Sequence, residues 1–371
     1  MAIQETAIET RHDAASNNKS TEEFETVVIG GGQAGLAVGY YLKKRGRPFV
    51  ILDGNERIGG SWRTRTWSSL RLFTPARYDG LPGWPFPAAG WSYPTARETA
   101  DYLEAYAARF DLPVRTRTTV DRVTKDGSRY LVEAGGQRFK ADQLVVATGF
   151  YGQPTMPDFA SELDPRIVQM HSSEYRDPSQ LEPGGVLLVG AGNSGADIAM
   201  EVAKSHPTWL SGRDKGQVPV RIESPLARVV LPVLWFIASH VLTVRTPLGR
   251  KVRPHVLEGG APRIRVKTDD LLGAGVESVP KTKGVRDGLP VLEDGRVLDV
   301  ANVIWCTGFH QDYSWIDLPL VDEDEPAHDR GVAREPGLYF VGLDFLSSFT
   351  SENVGGVGRD ARRIAKHIAS R

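Results

Sequence analysis

Six residues, Gly30-Gly31-Gly32-Gln33-Ala34-Gly35, carry the spacing Gly-x-Gly-x-x-Gly, which suits a backbone that must hold a pyrophosphate. Gly30 permits a tight turn, Gly32 lets the main chain approach phosphate oxygens, and Gly35 lets a helix lie close on a strand. The free N–H groups at the start of that helix face the anion. Asp53 stands 18 residues past Gly35, where a carboxylate can accept hydrogen bonds from a ribose diol. The pattern returns as Gly190-Ala191-Gly192-Asn193-Ser194-Gly195, and Arg213 lies 18 residues past Gly195. A carboxylate suits a bare ribose and repels a 2′-phosphate, whereas a guanidinium can grip that phosphate through a fork of donors. The two spacings therefore predict the adenosine of FAD at the first site, and at the second NADPH in preference to NADH. A solvated surface arginine is the alternative reading of Arg213.

Spaced glycines alone would mean little in a chain with 39 of them, and Gly356-x-Gly358-x-x-Ala361 repeats the pattern with no clear strand before it. The elements that position the first two sets decide the matter. Glu25 to Ile29 (ETVVI) reads as a strand, and Leu36, Ala37, Tyr40, Tyr41 and Leu42 recur at helical spacing before Arg45-Gly46. Arg47 to Leu52 (RPFVIL) then reads as a second strand that delivers Asp53. The second copy runs from the strand Gly185 to Val189 through a helix carrying Ile198, Ala199, Val202 and Ala203 to the strand Thr208 to Leu210. The predicted class is α/β, with two Rossmann-like dinucleotide-binding units. Two Thr-Gly-aromatic segments, Ala147-Thr148-Gly149-Phe150 and Cys306-Thr307-Gly308-Phe309, each follow an apolar run, so glycine lets the chain leave a sheet sharply.

Composition bounds what else the chain could be. Its 371 residues, 40% hydrophobic and 25% charged, are those of a globular protein of two or three domains. Lys plus Arg is 45 and Asp plus Glu is 46, giving a net charge of −1, which offers no bulk electrostatic case for nucleic acid or a charged membrane. Cys306 is the one cysteine, which excludes a disulfide scaffold, a cysteine-cluster metal site and a dithiol redox pair. The eight histidines are scattered without metal-ligand spacing, and no Gly-x-Ser-x-Gly nucleophile turn occurs. No metal is expected, and no catalytic side chain is assigned.

Met1 to Glu23 is polar and without sustained periodicity, and reads as a disordered arm; no secretory leader is read there, so the expected location is cytoplasmic. The longest apolar stretch, Val229 to Val244, contains Pro232, Ser239 and His240 and is short of a bilayer span of about 20 apolar residues. A buried or lid helix is the first reading and a membrane-surface contact, flanked by Arg228 and Arg245, the second. Leu226, Val230, Leu234 and Ile237 fall on one face, for which core packing is expected. Residues 321 to 325 (VDEDE) read as a solvated loop. Trp84, Phe86, Trp91 and Tyr93 could wall a pocket or simply pack a Pro-rich loop, and Cys306 is expected to be a buried inert thiol.

From Glu25 to Ile368 the chain resembles the bacterial branch of the class B flavin-containing monooxygenases, a branch often labelled a flavoprotein of potassium transport and similar to plant YUCCA-type enzymes. The likeness is carried by Val27 to Gly35, Ile58-Gly59-Gly60-Ser61-Trp62, Leu70 to Pro75 (LRLFTP) and Leu81-Pro82-Gly83. His171-Ser172-Ser173-Glu174-Tyr175-Arg176, the Gly190 to Ala199 block, both Thr-Gly-aromatic segments and Gly337 to Gly342 add to it. The resemblance implies the glutathione-reductase type of fold, with the NADPH-binding domain inserted in the FAD-binding one. The expected division is 24–155 plus 325–371 for FAD and 156–324 for NADPH, with an apolar lid insert at about 224–272. It also implies Gly59, Gly60 and Trp62 over the FAD, Thr74 near the flavin, and oxygen transfer from O2 to a small organic substrate through a flavin C4a-(hydro)peroxide. Pro165 and Ile167 stand where the family's linker has an aromatic residue and glycine before its histidine, which weakens assignment to Baeyer–Villiger or N-hydroxylating subclasses. His171 is left as either a hinge near the nicotinamide or a hydrogen-bonded surface histidine. An NAD(P)H oxidase or reductase without oxygen transfer, and an FAD-binding redox-sensing or transport-accessory protein, are the alternatives.

Overall fold

The computed structural model describes residues 21–149, 151–259, 262–318, 321–322 and 325–371. The arm expected over residues 1–23 lies outside the described residues as far as residue 20. Its last three residues instead open strand β1 (Thr21–Ile29), because Thr21, Glu22 and Glu23 pair with Arg138, Phe139 and Lys140 of a long neighbouring strand. Glu22 and Glu23 gain ion pairs to Arg115 and Arg129 at that extension.

After β1 come α1 (Gln33–Lys44), β2 (Phe49–Leu52), a short α2 (Gly60–Thr64) and α3 (Ala96–Arg109). Then follow β3 (Val114–Arg115), the hairpin β4 (Val120–Asp126) and β5 (Arg129–Ala134), and β6 (Gln137–Val146). β6, β1, β2 and β3 are parallel, with Ile29 opposite both Leu52 and Val146. Phe49–Leu52 is buried throughout, as a strand covered on both faces must be. One face is covered by Leu36, Val38 and Leu42 of α1 with Tyr102, Leu103 and Tyr106 of α3. The other lies under Val123 and Val132 of the β4–β5 hairpin.

The chain then builds a second sheet. Its elements are β7 (Gln153–Pro154), β8 (Val168–His171), β9 (Val186–Val189), α4 (Asn193–Val202) and β10 (Thr208–Ser211). They continue with α5 (Ala227–Phe236), α6 (Pro247–Leu257), α7 (Thr268–Gly273), β11 (Glu277–Val279), the hairpin β12 (Thr282–Arg286) and β13 (Leu289–Leu292), β14 (Asn302–Trp305) and β15 (Phe309–His310). Five of these strands form a parallel sheet in the order β11-β10-β9-β14-β8. Leu188, Ile198, Ala199, Val202 and Leu271 fill one side of it; Leu187, Val303, Trp305 and Leu292 fill the other.

The last elements return to the first sheet. β16 (Val321–Asp322) pairs with β17 (Glu325–Pro326), so the acidic run expected as a loop takes a hairpin pairing at its ends, while its Glu323 and Asp324 lie outside the described residues. β18 (His328–Asp329), β19 (Val332–Ala333) and β20 (Leu338–Phe340) complete that sheet, β20 lying parallel to β6 with Phe340 opposite Val146. Finally α8 (Gly358–Ala369) buries Ala361, Ile364, Ala365 and Ile368 in the core it shares with α1.

Candidate functional site: two glycine cradles

β1, β6 and β20 all end at one edge of the first sheet, so the segments that leave them converge there. Gly30 follows β1 at φ +108°, and a Cβ on it would lie 2.4 Å from the Ala147 carbonyl oxygen. A Cβ on Gly35 would lie 1.8 Å from the Gly30 oxygen. These two glycines are demanded by the fold itself. Gly32 is different: it sits at φ −78°, ψ −170°, which any residue adopts, and nothing lies within 4 Å of the place a Cβ would take. The structure leaves that space at the start of α1, where unsatisfied N–H groups point outward.

Asp53 is 6% exposed, and its Oδ2 accepts the Gly31 N–H at 2.6 Å, while Oδ1 accepts the Asn55 N–H at 2.7 Å. Oδ1 also accepts the Asn55 Nδ2 hydrogen at 2.8 Å, so the lone pair left for a ligand hydroxyl is on Oδ2. The segment after β20 lines the same mouth. A Cβ on Gly342 would lie 2.7 Å from the Ala34 Cβ, and Gln33 donates its Nε2 hydrogen to the Glu352 carbonyl at 3.3 Å. Burial, together with the neighbouring Asp344 charge, raises the Glu352 carboxyl to about 8. Sequence reasoning missed Asp344 and Glu352; Asp344 stands two residues past Gly342 of the quoted tail.

Gly60 and Trp62 lie on α2, whose N-cap Gly59 takes φ +76° and where a Cβ would lie 2.8 Å from Ala100 of α3. Trp62 packs half-buried against the first core. Thr74 donates to Asp79 Oδ1 at 2.5 Å, and the other Asp79 oxygen, buried, has no partner among the described residues. Desolvation accordingly raises the Asp79 carboxyl to about 7.

The second cradle repeats this geometry. Gly190 takes φ +117° against the Cys306 carbonyl, and Gly195 packs on the Gly190 oxygen. Gly192, at φ −79°, ψ −164°, again has nothing within 4 Å of a Cβ. Asn193 faces inward to the chain: its Oδ1 accepts the Ile264 N–H at 2.8 Å and its Nδ2 donates to Pro262, so the segment after α6 is fixed to the start of α4. Ser194 is half-buried in the first turn of α4.

Strand register corrects one sequence expectation. The Gly30 N–H bonds the Leu52 carbonyl, and the Gly190 N–H bonds the Ser211 carbonyl. With Ile29 opposite Leu52 and Val189 opposite Ser211, the place of Asp53 is taken by Gly212, and Arg213 stands one residue further. The equal spacing of 18 misled because helix and connection together are one residue shorter in the second copy, 193–207 against 33–48, α4 being a shorter helix than α1. Gly212 closes against the backbone of Ala191, so no acid faces this cradle from that position. Arg213 is exposed and forms no ion pair with any described carboxylate.

His171 ends β8 at the same edge and is 1% exposed, so it is no surface histidine. The backbone N–H of Ser173 donates to its Nδ1 at 3.2 Å, which leaves Nε2 to donate to the Gly308 carbonyl at 3.0 Å. Phe309 stacks edge-on against the ring at 4.9 Å, and β15 pairs antiparallel with β7. The imidazole therefore fastens the second Thr-Gly-aromatic crossing; Phe150 of the first lies outside the described residues. Desolvation lowers the His171 pKa. Cys306, expected to be buried, is half-buried, and desolvation pushes its thiol up to about 12.

The aromatic loop packs on its surroundings. Trp84 and Phe86 lie on Tyr102 of α3 at 5.1 and 4.7 Å, and the Tyr93 hydroxyl donates to the Ile222 carbonyl. Near it, Asp197 of α4 is raised to about 6 by desolvation, which the Arg265 charge opposes.

Residues 27–215 match the pyridine nucleotide-disulphide oxidoreductase family. The chain belongs to that family. This oxidoreductase is 37% identical to a CzcO-like oxidoreductase of Geobacillus kaustophilus, described as uncharacterized, over 93% of this chain and 98% of the other. It is 29% identical to the probable indole-3-pyruvate monooxygenase YUCCA3 of Arabidopsis thaliana, over 93% of this chain and 86% of that one. The solved flavin-containing monooxygenase of Stenotrophomonas maltophilia shares its fold with a TM-score of 0.76 at 28% identity, covering 94% of this chain and 99% of the other. Within its family, this oxidoreductase is thus an enzyme of the flavin-dependent monooxygenase group. No described helix is long and apolar enough to cross a membrane, and no cluster of potential metal ligands occurs among the described residues.

Proposed function

We propose that this oxidoreductase uses NADPH and FAD to place one oxygen atom of O2 on a small organic molecule. The observation that carries the reading is the pair Gly32 and Gly192: both lack a side chain where the fold does not require it, each at the start of a helix that follows a parallel strand. Bare backbone at those two places is what a pyrophosphate needs.

FAD would lie on Gly30, Gly32, Gln33 and Gly35, with the ribose on Asp53 and the ring system passing Gly60, Trp62 and Thr74. NADPH would lie on Gly190, Gly192, Asn193, Ser194 and Gly195, with its 2′-phosphate on Arg213. Bound there, the flavin would supply hydride acceptance and oxygen activation for an overall reaction that consumes NADPH, a proton and O2 and yields the oxygenated product, water and NADP⁺. The protein's part is to orient both coenzymes and keep water out. The two sheets would form two domains, 24–155 with 325–371 for FAD and 156–324 for NADPH, the second inserted in the first.

The insert at 224–272 would cover the flavin. Support comes from its anchoring: Trp235 stacks on Tyr78 at 5.0 Å, the Val244 N–H donates to Ser347 at 3.1 Å, and Arg265 donates to the Leu72 carbonyl at 2.5 Å. Anaerobic NADPH should bleach a flavin spectrum, and labelled O2 should put one labelled atom in the product of a productive substrate. Hydrogen peroxide equal to NADPH consumed with every candidate substrate would instead make the enzyme an oxidase.

A further inference from the structure

We propose that the outer face of α5, with the basic segment after it, docks this enzyme on an anionic lipid surface, lying in the headgroup plane. Leu226, Val229, Val233 and Phe236 are 59%, 69%, 57% and 58% exposed. At 100° per residue they fall within one narrow arc of the helix, while Trp235 on another face is stacked on Tyr78. This overturns core packing for Leu226, which stands open to solvent, and for Leu234, which is also exposed. A helix that buries one side on the body of the protein and presents a row of large aliphatic and aromatic groups outward is asking for an apolar partner.

Charge names the partner. Between Glu223 and Glu258 the chain holds no Asp or Glu, yet it carries Arg228, Arg245, Arg250, Lys251 and Arg253, in a protein of net charge −1. Arg228, Arg245, Arg250 and Lys251 are exposed, and none forms an ion pair with a described carboxylate. Arg228 is exposed at the start of α5, and α6 adds Leu248, 48% exposed, beside the basic run. Apolar side chains flanked by unpaired cations match a surface of acyl chains under anionic headgroups. The helix is too short to span, so the attachment is peripheral. This inference does not depend on the oxygenation reading.

The purified full-length protein should sediment with vesicles of phosphatidylcholine and phosphatidylglycerol, stay in solution with phosphatidylcholine alone, and leave the anionic vesicles at high salt. The combined Arg245→Gln, Arg250→Gln and Lys251→Gln variant should weaken partitioning on the order of a hundredfold. Val229→Ser with Val233→Ser should weaken it as well, with the melting temperature of each variant unchanged because these side chains are exposed. Absence of vesicle binding, or equal binding to both vesicle types, would overturn the proposal. So would a concentration-dependent dimer in analytical ultracentrifugation that Val233→Ser dissociates, since the face would then belong to a second copy.

Discussion

The Asp53 carboxylate accepts the Gly31 N–H at 2.6 Å, so the acid at the tip of β2 builds the glycine turn as well as facing the space a ribose would take. Removing it leaves a buried amide without a partner. Asp53→Ala should therefore destabilise the cofactor-free protein by about 1–3 kcal/mol, in addition to weakening flavin retention. Thermal melting of the apoprotein separates the two roles, since a pure ribose contact would leave that melt unchanged.

In the second cradle the acid's register position is Gly212, and Arg213 projects one residue beyond with no described carboxylate to neutralise it. Arg213→Ala should raise the KM for NADPH by about tenfold or more while barely changing that for NADH, a charged hydrogen bond being worth about 1.5–3 kcal/mol. Equal changes for both coenzymes would show that Arg213 does not touch the 2′-phosphate.

Asp79 is raised by burial from 3.8 to about 7. Its unfolded form gives up its proton near pH 3.8 and its folded form only near 7, so the stability this confers is complete below pH 3.8 and disappears as pH rises through about 7. Asp79→Asn keeps the size and removes the titration. At pH 8 the variant should melt above the wild type, and the difference should shrink progressively toward pH 4.

His171 works in the opposite direction. Burial lowers its pKa below the ordinary 6.5, so the folded protein resists a proton that the unfolded chain accepts. Stability from this group is intact above pH 6.5 and declines as pH falls below it. In His171→Gln the melting temperature should be lower throughout and should lose part of its dependence on pH between neutral and mildly acid conditions. An unchanged slope would mean that the ring does not stay neutral between Ser173 and Gly308.

Much of the sheet scaffold was legible from local pattern. The runs at β1, β2, β9 and β10 are apolar because both faces of a parallel sheet are covered, and the glycines that end β1 and β9 are forced by backbone contacts at 2.4 and 2.2 Å. What sequence could not give was register: counting residues between Gly195 and Arg213 cannot reveal that helix and connection together are one residue shorter in the second copy. Nor could it tell that Asn193 would be occupied by Pro262 and Ile264 or that Leu226 would face outward, because both depend on how a distant insert folds back. Asp79, Asp344 and Glu352 were missed for a related reason: isolated acids become unusual through burial, which leaves no local pattern.

The most direct test compares Gly32→Val with Gly192→Val. Both positions have backbone angles open to valine, and no atom lies within 4 Å of the added Cβ, so both variants should fold and melt like the wild type. Gly32→Val should purify without flavin, whereas Gly192→Val should retain flavin and fail to be reduced by NADPH while still bleaching with dithionite. A Gly32→Val protein that keeps its flavin, or a Gly192→Val protein reduced by NADPH at the wild-type rate, would contradict the assignment of one coenzyme to each cradle.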